Sequence, residues 1–295
     1  MYEEEKILID KLLEGKEYLK NELMYKRGYS FVKKVLTMPE WEDPKFKSLL
    51  TPTIWTSNYE DIKNILNMKE WDNPQFQPLL TSNIWKSNYD EVKKILSMEE
   101  WNNPQFQPLL TSTIWNSNYD EIKKILCMEE WKEPQFQSLL TPNIWQSNYE
   151  NIKNILSIEE LKEPKFQQLL TSNIWKYSHK TIKKILKIKK LQDPKYQHLL
   201  KPSLFSANYT NIIPTIALFE EYGLGQYVIS RCLRRNVNLQ RNLIEYLINN
   251  DYSLLVQLEN GKYKLNPIFN TSNTELKKKY GIDIKQISKD KVKKI

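Results

Sequence analysis

Apolar positions recur along most of this chain with a period of thirty residues. Pro44, Pro74, Pro104, Pro134, Pro164 and Pro194 each open a copy, and copies 74–103 and 104–133 differ only at positions 83, 86, 92, 97, 102 and 103. In copy 74–103, Tyr89, Val92, Ile95, Leu96 and Met98 form one apolar stripe at helical spacing, and Asp90, Glu91, Lys93 and Lys94 fall largely outside it. Ser87 can accept from backbone N–H groups three residues on. An acid at Asp90 (Glu60 or Glu150 in sister copies) complements the positive helix end, so the pattern predicts a helix starting at Asn88. Asn103 precedes proline, which disfavours helical backbone, so the helix ends by then.

Pro104 suits the first position of a second, short helix that buries Phe106, Leu109 and Leu110. Pro52, Pro142 and Pro202 follow the paired leucines and would break its continuation. A third turn through Ser82, Asn83, Ile84 and Trp85, capped by Thr81, completes the copy. Two helices and a turn cannot enclose a core, so each copy must cover its neighbour's leucines. The predicted fold class is all-α: a right-handed-type α-helical repeat solenoid of 30-residue units, with a small α-rich C-terminal module containing one β-hairpin.

Three regions follow. Residues 1–28 hold an N-terminal capping helix, read as one helix over 3–24 from Ile7, Leu8, Leu12, Leu19 and Leu23. Residues 29–205 are the array: a half copy from Tyr29 to Trp41, then copies starting at 44, 74, 104, 134, 164 and 194. Residues 206–295 are a basic C-terminal module. It begins with a helix over Ile212–Tyr222 stopped by Gly223, then helical segments Gln226–Arg235 and Leu239–Asn249. A hairpin follows over Val256–Leu265, whose Asn260-Gly261 favours a tight primed turn. Ser272 and Glu275 form a capping box for a last helix ended by Gly281, and the tail KDKVKKI is polar and frayed.

Charge divides the chain unevenly. The net +8 hides copies from 44, 74, 104 and 134 that carry 0, −1, −2 and −2, a copy from 164 that carries +7, and a stretch 224–295 that carries +8. Neutralising phosphates with Lys and Arg drives nucleic-acid binding, so the basic end is the candidate interface. Its lysines are Lys180, Lys183, Lys184, Lys187 and Lys190. Of five arginines, Arg231, Arg234, Arg235 and Arg241 lie together, the first three on one helix face. Elsewhere the chain uses lysine almost exclusively, which suggests a need for the planar fork that suits phosphate or carboxylate. Ion pairs with Glu245 or Asp251 are the competing explanation.

The nine tryptophans all lie in the array. Trp41, Trp71, Trp101 and Trp131 end long helices, with Leu161 and Leu191 in the later copies. Trp55, Trp85, Trp115, Trp145 and Trp175 end short turns, with Phe205 in the last. A row of stacking platforms for bases is one reading. Packing between copies is the other, and the leucines favour it, because leucine packs but cannot stack like an indole. The polar position before each capping serine changes from copy to copy: Thr56, Lys86, Asn116, Gln146, Lys176 and Ser206. Variation in a constant frame suits a partner-reading surface, and it equally suits drift at exposed sites.

No catalytic chemistry is legible. His179 and His198 lack cysteines at metal-ligand spacing, no Gly-rich phosphate loop occurs among six glycines, and acids repeated thirty residues apart do not make a catalytic pair. No enzyme, cofactor, metal or small-molecule substrate is therefore expected. Cys127 and Cys232 give no disulfide framework, and the N-terminal MYEEEKILID lacks a signal-peptide pattern. With no run near the roughly 20 apolar residues of a membrane span, a cytoplasmic protein away from membranes is expected.

The run Pro78-Leu79-Leu80-Thr81-Ser82, followed by a capped helix carrying Val92, Ile95 and Leu96, resembles the repeat of mitochondrial transcription termination factor-like proteins. The resemblance covers about residues 30–210 and implies a helical-repeat fold that binds nucleic acid; no single functional residue carries over. Together these readings give a non-catalytic binding protein with nucleic acid as its partner. The alternative is a protein–protein interaction scaffold that uses the repeat surface.

Overall fold

The computed structural model describes residues 3–287. The predicted frayed tail lies outside them. The chain is helical apart from one two-stranded sheet, and it divides after Leu156 into two compact units. That division falls inside the repeat array. No helix among the described residues is long and apolar enough to cross a membrane.

Unit 1 opens with α1 (Glu3–Leu12), a 3₁₀ turn at Glu17–Leu19, α2 (Glu22–Arg27) and α3 (Tyr29–Leu36). The single helix expected over 3–24 is thus broken. Gly15 takes φ +77, a left-handed backbone that ends the first segment, and Asn21 then caps α2 by accepting from Met24 N–H. The copies follow, built on α4 (Tyr59–Leu66), α5 (Tyr89–Leu96), α6 (Tyr119–Leu126), α7 (Pro134–Gln137) and α8 (Tyr149–Leu156). α3 packs on α4, α4 on α5, α5 on α6 and α6 on α8, so each copy covers the next within this unit.

Each α-helix is shorter than the sequence suggested, and its cap sits one residue later. Asn88, not Ser87, is the N-cap of α5, accepting from Glu91 N–H at 2.9 Å. Asn58 and Asn118 do the same for α4 and α6. The helix closes at Leu96, and Met98 is extended (φ −69, ψ 129). The tryptophan expected to end the helix lies beyond it. Trp101 instead sits in a separate 3₁₀ turn, Glu99–Asn102, and its indole N–H returns to the Ile95 carbonyl at 2.6 Å. That carbonyl is one of the last four in the helix, which have no helical donor. Trp41, Trp71 and Trp131 cap Val35, Ile65 and Ile125 identically.

The predicted second helix is a 3₁₀ helix in most copies, as at Pro104–Leu109. Its buried residues, Phe106 and Leu109, are three apart, the period at which 3₁₀ side chains line up. A third turn, Ser112–Asn116, holds the other tryptophan set. Trp85, Trp115 and Trp145 donate to the carbonyls of Leu49, Leu79 and Leu109 one copy earlier, at 2.7–2.9 Å. Trp55 reaches Leu19 in the N-terminal segment at 2.8 Å. Thr81 occupies the cap position of its turn but does not cap it, and its hydroxyl is buried without a partner.

Unit 2 continues the same chain pattern through α9 (His179–Leu186) and the 3₁₀ turns after it as far as Ser206, and then leaves it. α10 (Tyr209–Glu221), α11 (Ser230–Arg234), α12 (Val237–Asn249) and α13 (Asn273–Tyr280) surround a core that includes Phe219, Leu243 and Phe269. Both α11 and α12 pack on α10. β1 (Leu255–Gln257) and β2 (Tyr263–Leu265) pair antiparallel, Leu255 opposite Leu265. The hairpin is present, but its turn is not the two-residue primed type. That type needs positive φ at both Asn260 and Gly261, and only Gly261 has it (φ +77). Strand pairing stops at Gln257 and Tyr263, leaving a longer connection. The capping box of α13 is formed, with Ser272 and Glu275 in mutual hydrogen bonds, and Gly281 closes the helix.

Candidate nucleic-acid interface

The basic surface of α9 follows from its amphipathic pattern. Ile182, Ile185 and Leu186 are buried, which leaves Lys180, Lys183, Lys184 and Lys187 exposed. Ser178 caps the helix, accepting from Thr181 N–H at 3.2 Å. The side chains of Lys180, Lys183 and Lys187 form no hydrogen bond or ion pair among the described residues. Lys184 lies 4.5 Å over the Tyr209 ring, with Nζ 3.1 Å from the phenol oxygen. Lys190 is different: Glu220 pairs with it, also accepts from Tyr196, and lies 3.8 Å from Lys195 Nζ. Lys190, followed by Tyr196, holds the Glu220 carboxyl below the usual carboxylate range. Lys190 is thus part of a neutralised cluster and departs from the exposed row expected of it.

The arginines separate into three roles. Arg241 makes a two-pronged pair with Glu221, 2.9 Å to each oxygen, and holds that carboxyl below its ordinary range. Glu221 was not among the partners expected for the cluster, Glu245 and Asp251. Arg235 leaves the helix face it was expected to share: it is the C-cap of α11, with extended backbone (φ −87, ψ 143). Its side chain is buried, 8% exposed. The guanidinium donates to Asn273 Oδ1 (2.9 Å), Gln240 Oε1 (3.2 Å) and the Thr271 carbonyl (2.7 Å), all neutral acceptors. Burial, helped by the nearby Arg231 charge, pushes its pKa down. Arg231 is half-buried and Arg234 exposed, and neither donates a hydrogen bond to a described residue.

Arg231, Arg234 and Arg235 nevertheless line one cleft of about 340 Å³, with Asn236, Ser272 and Asn273 on its other walls. Sequence reasoning missed those last three. The signal was half present, since Ser272 was legible as a helix cap, but nothing local places it opposite Arg231.

Thr56, Lys86, Asn116, Gln146, Lys176 and Ser206 are all exposed. Within unit 1 this row is partly knitted together: Lys86 Nζ donates to Asn116 Oδ1 at 2.9 Å, and Thr56 Oγ1 donates to the Trp85 carbonyl at 3.0 Å. Gln146 and Ser206 bond back to positions 143 and 203 of their own copies. The tryptophans lie under this surface. Trp85, Trp101 and Trp115 are at most 3% exposed and their N–H groups are engaged, which leaves no face for a base. Among the described residues, no three His, Cys, Asp or Glu side chains are placed to hold a metal ion. No protein-family model, curated protein or solved structure matches this chain.

Proposed function

We propose that this chain is a non-catalytic binding protein whose basic unit 2 engages nucleic acid through its phosphates. The observation that carries this reading is the outer face of α9. Lys180, Lys183 and Lys187 stand there exposed with no carboxylate to neutralise them. Unpaired cations on one helix face raise the local potential and attract a polyanion, and each phosphate contact releases a condensed counterion. The resemblance to mitochondrial transcription termination factor-like repeats points the same way. The copy-on-copy packing of unit 1 supports reading the array as a right-handed-type solenoid that serves as the frame.

The test is affinity for generic DNA and RNA at two salt concentrations. The triple substitution Lys180→Gln, Lys183→Gln, Lys187→Gln should weaken binding to all sequences alike and lower the log–log salt slope by about 0.7–0.9 per lost contact. If the intact protein binds neither nucleic acid at low salt, the reading fails. A scaffold for protein partners is the second reading, favoured by the exposed, regularly recurring row from Thr56 to Gln146. Under that reading a partner's affinity should respond to changes in the row and remain at high salt.

A further inference from the structure

We infer that the cleft formed by Arg231, Arg234 and Arg235 takes a single phosphate monoester, the terminal phosphate of a nucleic-acid strand. For the source of the phosphate this rests on the nucleic-acid reading above; the cleft itself does not.

The argument begins with Arg235. A buried charge is ordinarily matched by an opposite one, because desolvation is expensive. Arg235 is 8% exposed, yet its three hydrogen-bond partners are a side-chain amide on Asn273, another on Gln240 and the Thr271 carbonyl. None carries charge. These bonds fix the guanidinium plane and use three of its five donors, leaving two unassigned. A cation rigidly held, buried and unneutralised is what an anion site requires before its ligand arrives.

The rest of the cleft increases the imbalance. Arg231 and Arg234 line the same space and donate no hydrogen bond to any described residue. Three like charges therefore share one cleft of about 340 Å³. One acid, Glu275, feels the Arg231 charge, but that group is exposed and already bonded to Ser272 N–H in the capping box. Elsewhere in unit 2 the chain solves the same problem with a carboxylate, as Glu221 does for Arg241. Here no carboxylate among the described residues forms an ion pair with Arg231, Arg234 or Arg235.

The number and depth of the guanidinia select the anion. A monoester carries about −1.5 to −2 charges near neutral pH and three terminal oxygens, each able to accept from an arginine fork. A backbone diester carries one charge, and its chain continues in two directions. Arg235 lies below the surface, so a group that reaches it must protrude, as a strand end does. Ser272 and Asn273, at the start of α13, complete the wall with polar groups.

The experiment compares one oligonucleotide sequence carrying a 5′-phosphate, a 3′-phosphate or hydroxyls at both ends, bound to the full chain and read by fluorescence anisotropy. One phosphorylated end should bind about tenfold tighter than the hydroxyl form, while the other, which adds the same charge of about −1.5 to −2, should bind much as the hydroxyl form does. In the double variant Arg231→Gln, Arg234→Gln the forms should bind alike. Neither side chain donates a bond within the fold, so the variant should keep its native circular dichroism. If all three ends bind the wild type equally, the cleft inference is overturned while the nucleic-acid reading stands. If no strand binds at low salt, that reading falls, and with it the assigned source. Inorganic phosphate, titrated against chloride at equal ionic strength, then tests the cleft alone. A saturable rise in Tm that the double variant lacks retains a monoester site, and equal effects of the two salts overturn it. A phosphopeptide that outcompetes the 5′-phosphorylated strand would overturn the nucleic-acid source.

Discussion

Helices α6, in unit 1, and α9, in unit 2, have the same inner face and opposite outer chemistry. α6 buries Ile122, Ile125 and Leu126; α9 buries Ile182, Ile185 and Leu186. The first turn of α6 holds Asp120 and Glu121, where α9 has Lys180 and Thr181. In unit 1 such acids belong to the stack: Glu91 accepts from Tyr119 N–H and Glu121 from Tyr149 N–H, each at the start of the next copy's helix. α9 has no acid there, and its lysines meet water. Unit 1 as a whole carries −5 and unit 2 +13. The frame and the charge are therefore encoded on opposite faces and can change separately. One packing scheme supports an acidic stack in one unit and a lysine-rich surface in the other.

The comparison breaks most severely at the shared inner face. Leu109→Ala should destabilise unit 1 by about 2–5 kcal/mol, the range for truncating a buried leucine. Leu109 is fully buried and its carbonyl receives the Trp145 indole. Urea denaturation checks this, and a loss under about 0.5 kcal/mol would mean that copies do not depend on one another's leucines.

Next comes the outer face. Giving α9 the first turn of α6, by Lys180→Asp with Thr181→Glu, should leave the fold intact and lower affinity for DNA and RNA tenfold or more, about 1.4 kcal/mol. Unchanged affinity would detach nucleic-acid binding from α9. A smaller effect is expected from Trp101→Leu, which imports the residue that copies 134–163 and 164–193 use at Leu161 and Leu191. Both leucines are buried. The loss should approach the worth of the indole hydrogen bond, about 0.5–1.5 kcal/mol, with binding retained. Lost binding at unchanged stability would revive the base-stacking reading.

The Lys190–Glu220–Tyr196 cluster predicts a pH effect in unit 2. Because the Glu220 pKa is lowered on folding, its stabilisation is complete above its unfolded value, near 4.5, and is lost as pH falls through the lower folded value. Acid titration followed by near-UV circular dichroism should show this loss, and Glu220→Gln should reduce it. Smallest of all is the exchange of Lys86 and Asn116, which preserves charge and lets the pair bond in reverse. Stability should change by less than about 0.5 kcal/mol and binding preferences should not move. A shifted preference would make the row a reading surface.

Much of the frame was legible. The thirty-residue period located the buried leucines and isoleucines, and the Ser272–Glu275 spacing located α13. The candidate interface was legible only as composition. That Lys180, Lys183 and Lys187 stay free while Lys190 does not depends on Glu220, the acid one period beyond Lys190, and spacing alone does not say that the two side chains meet. The helix ends were also misjudged. Local propensity allows α5 to continue toward Asn103, yet it ends at Leu96. α8 and α9 end at the equivalent Leu156 and Leu186, with Leu161 and Leu191 in the indole's place. The stop is therefore common to the copies and does not depend on the Trp101 bond to the Ile95 carbonyl.

What the sequence determined by itself is the apolar frame, the charge contrast between the units and the positions of the hairpin and the last helix. Each is set by residues close in sequence or by a repeat that meets its own copy, so spacing alone specifies the contact. The tertiary structure alone decided where each indole N–H goes, that Arg235 turns inward, and that Ser272 and Asn273 face Arg231 and Arg234 across a cleft. Those contacts join segments about forty residues apart in the non-repeating part of the chain. No period relates them, and the packing of α11 against the 3₁₀ turn Pro267–Asn270 brings them together.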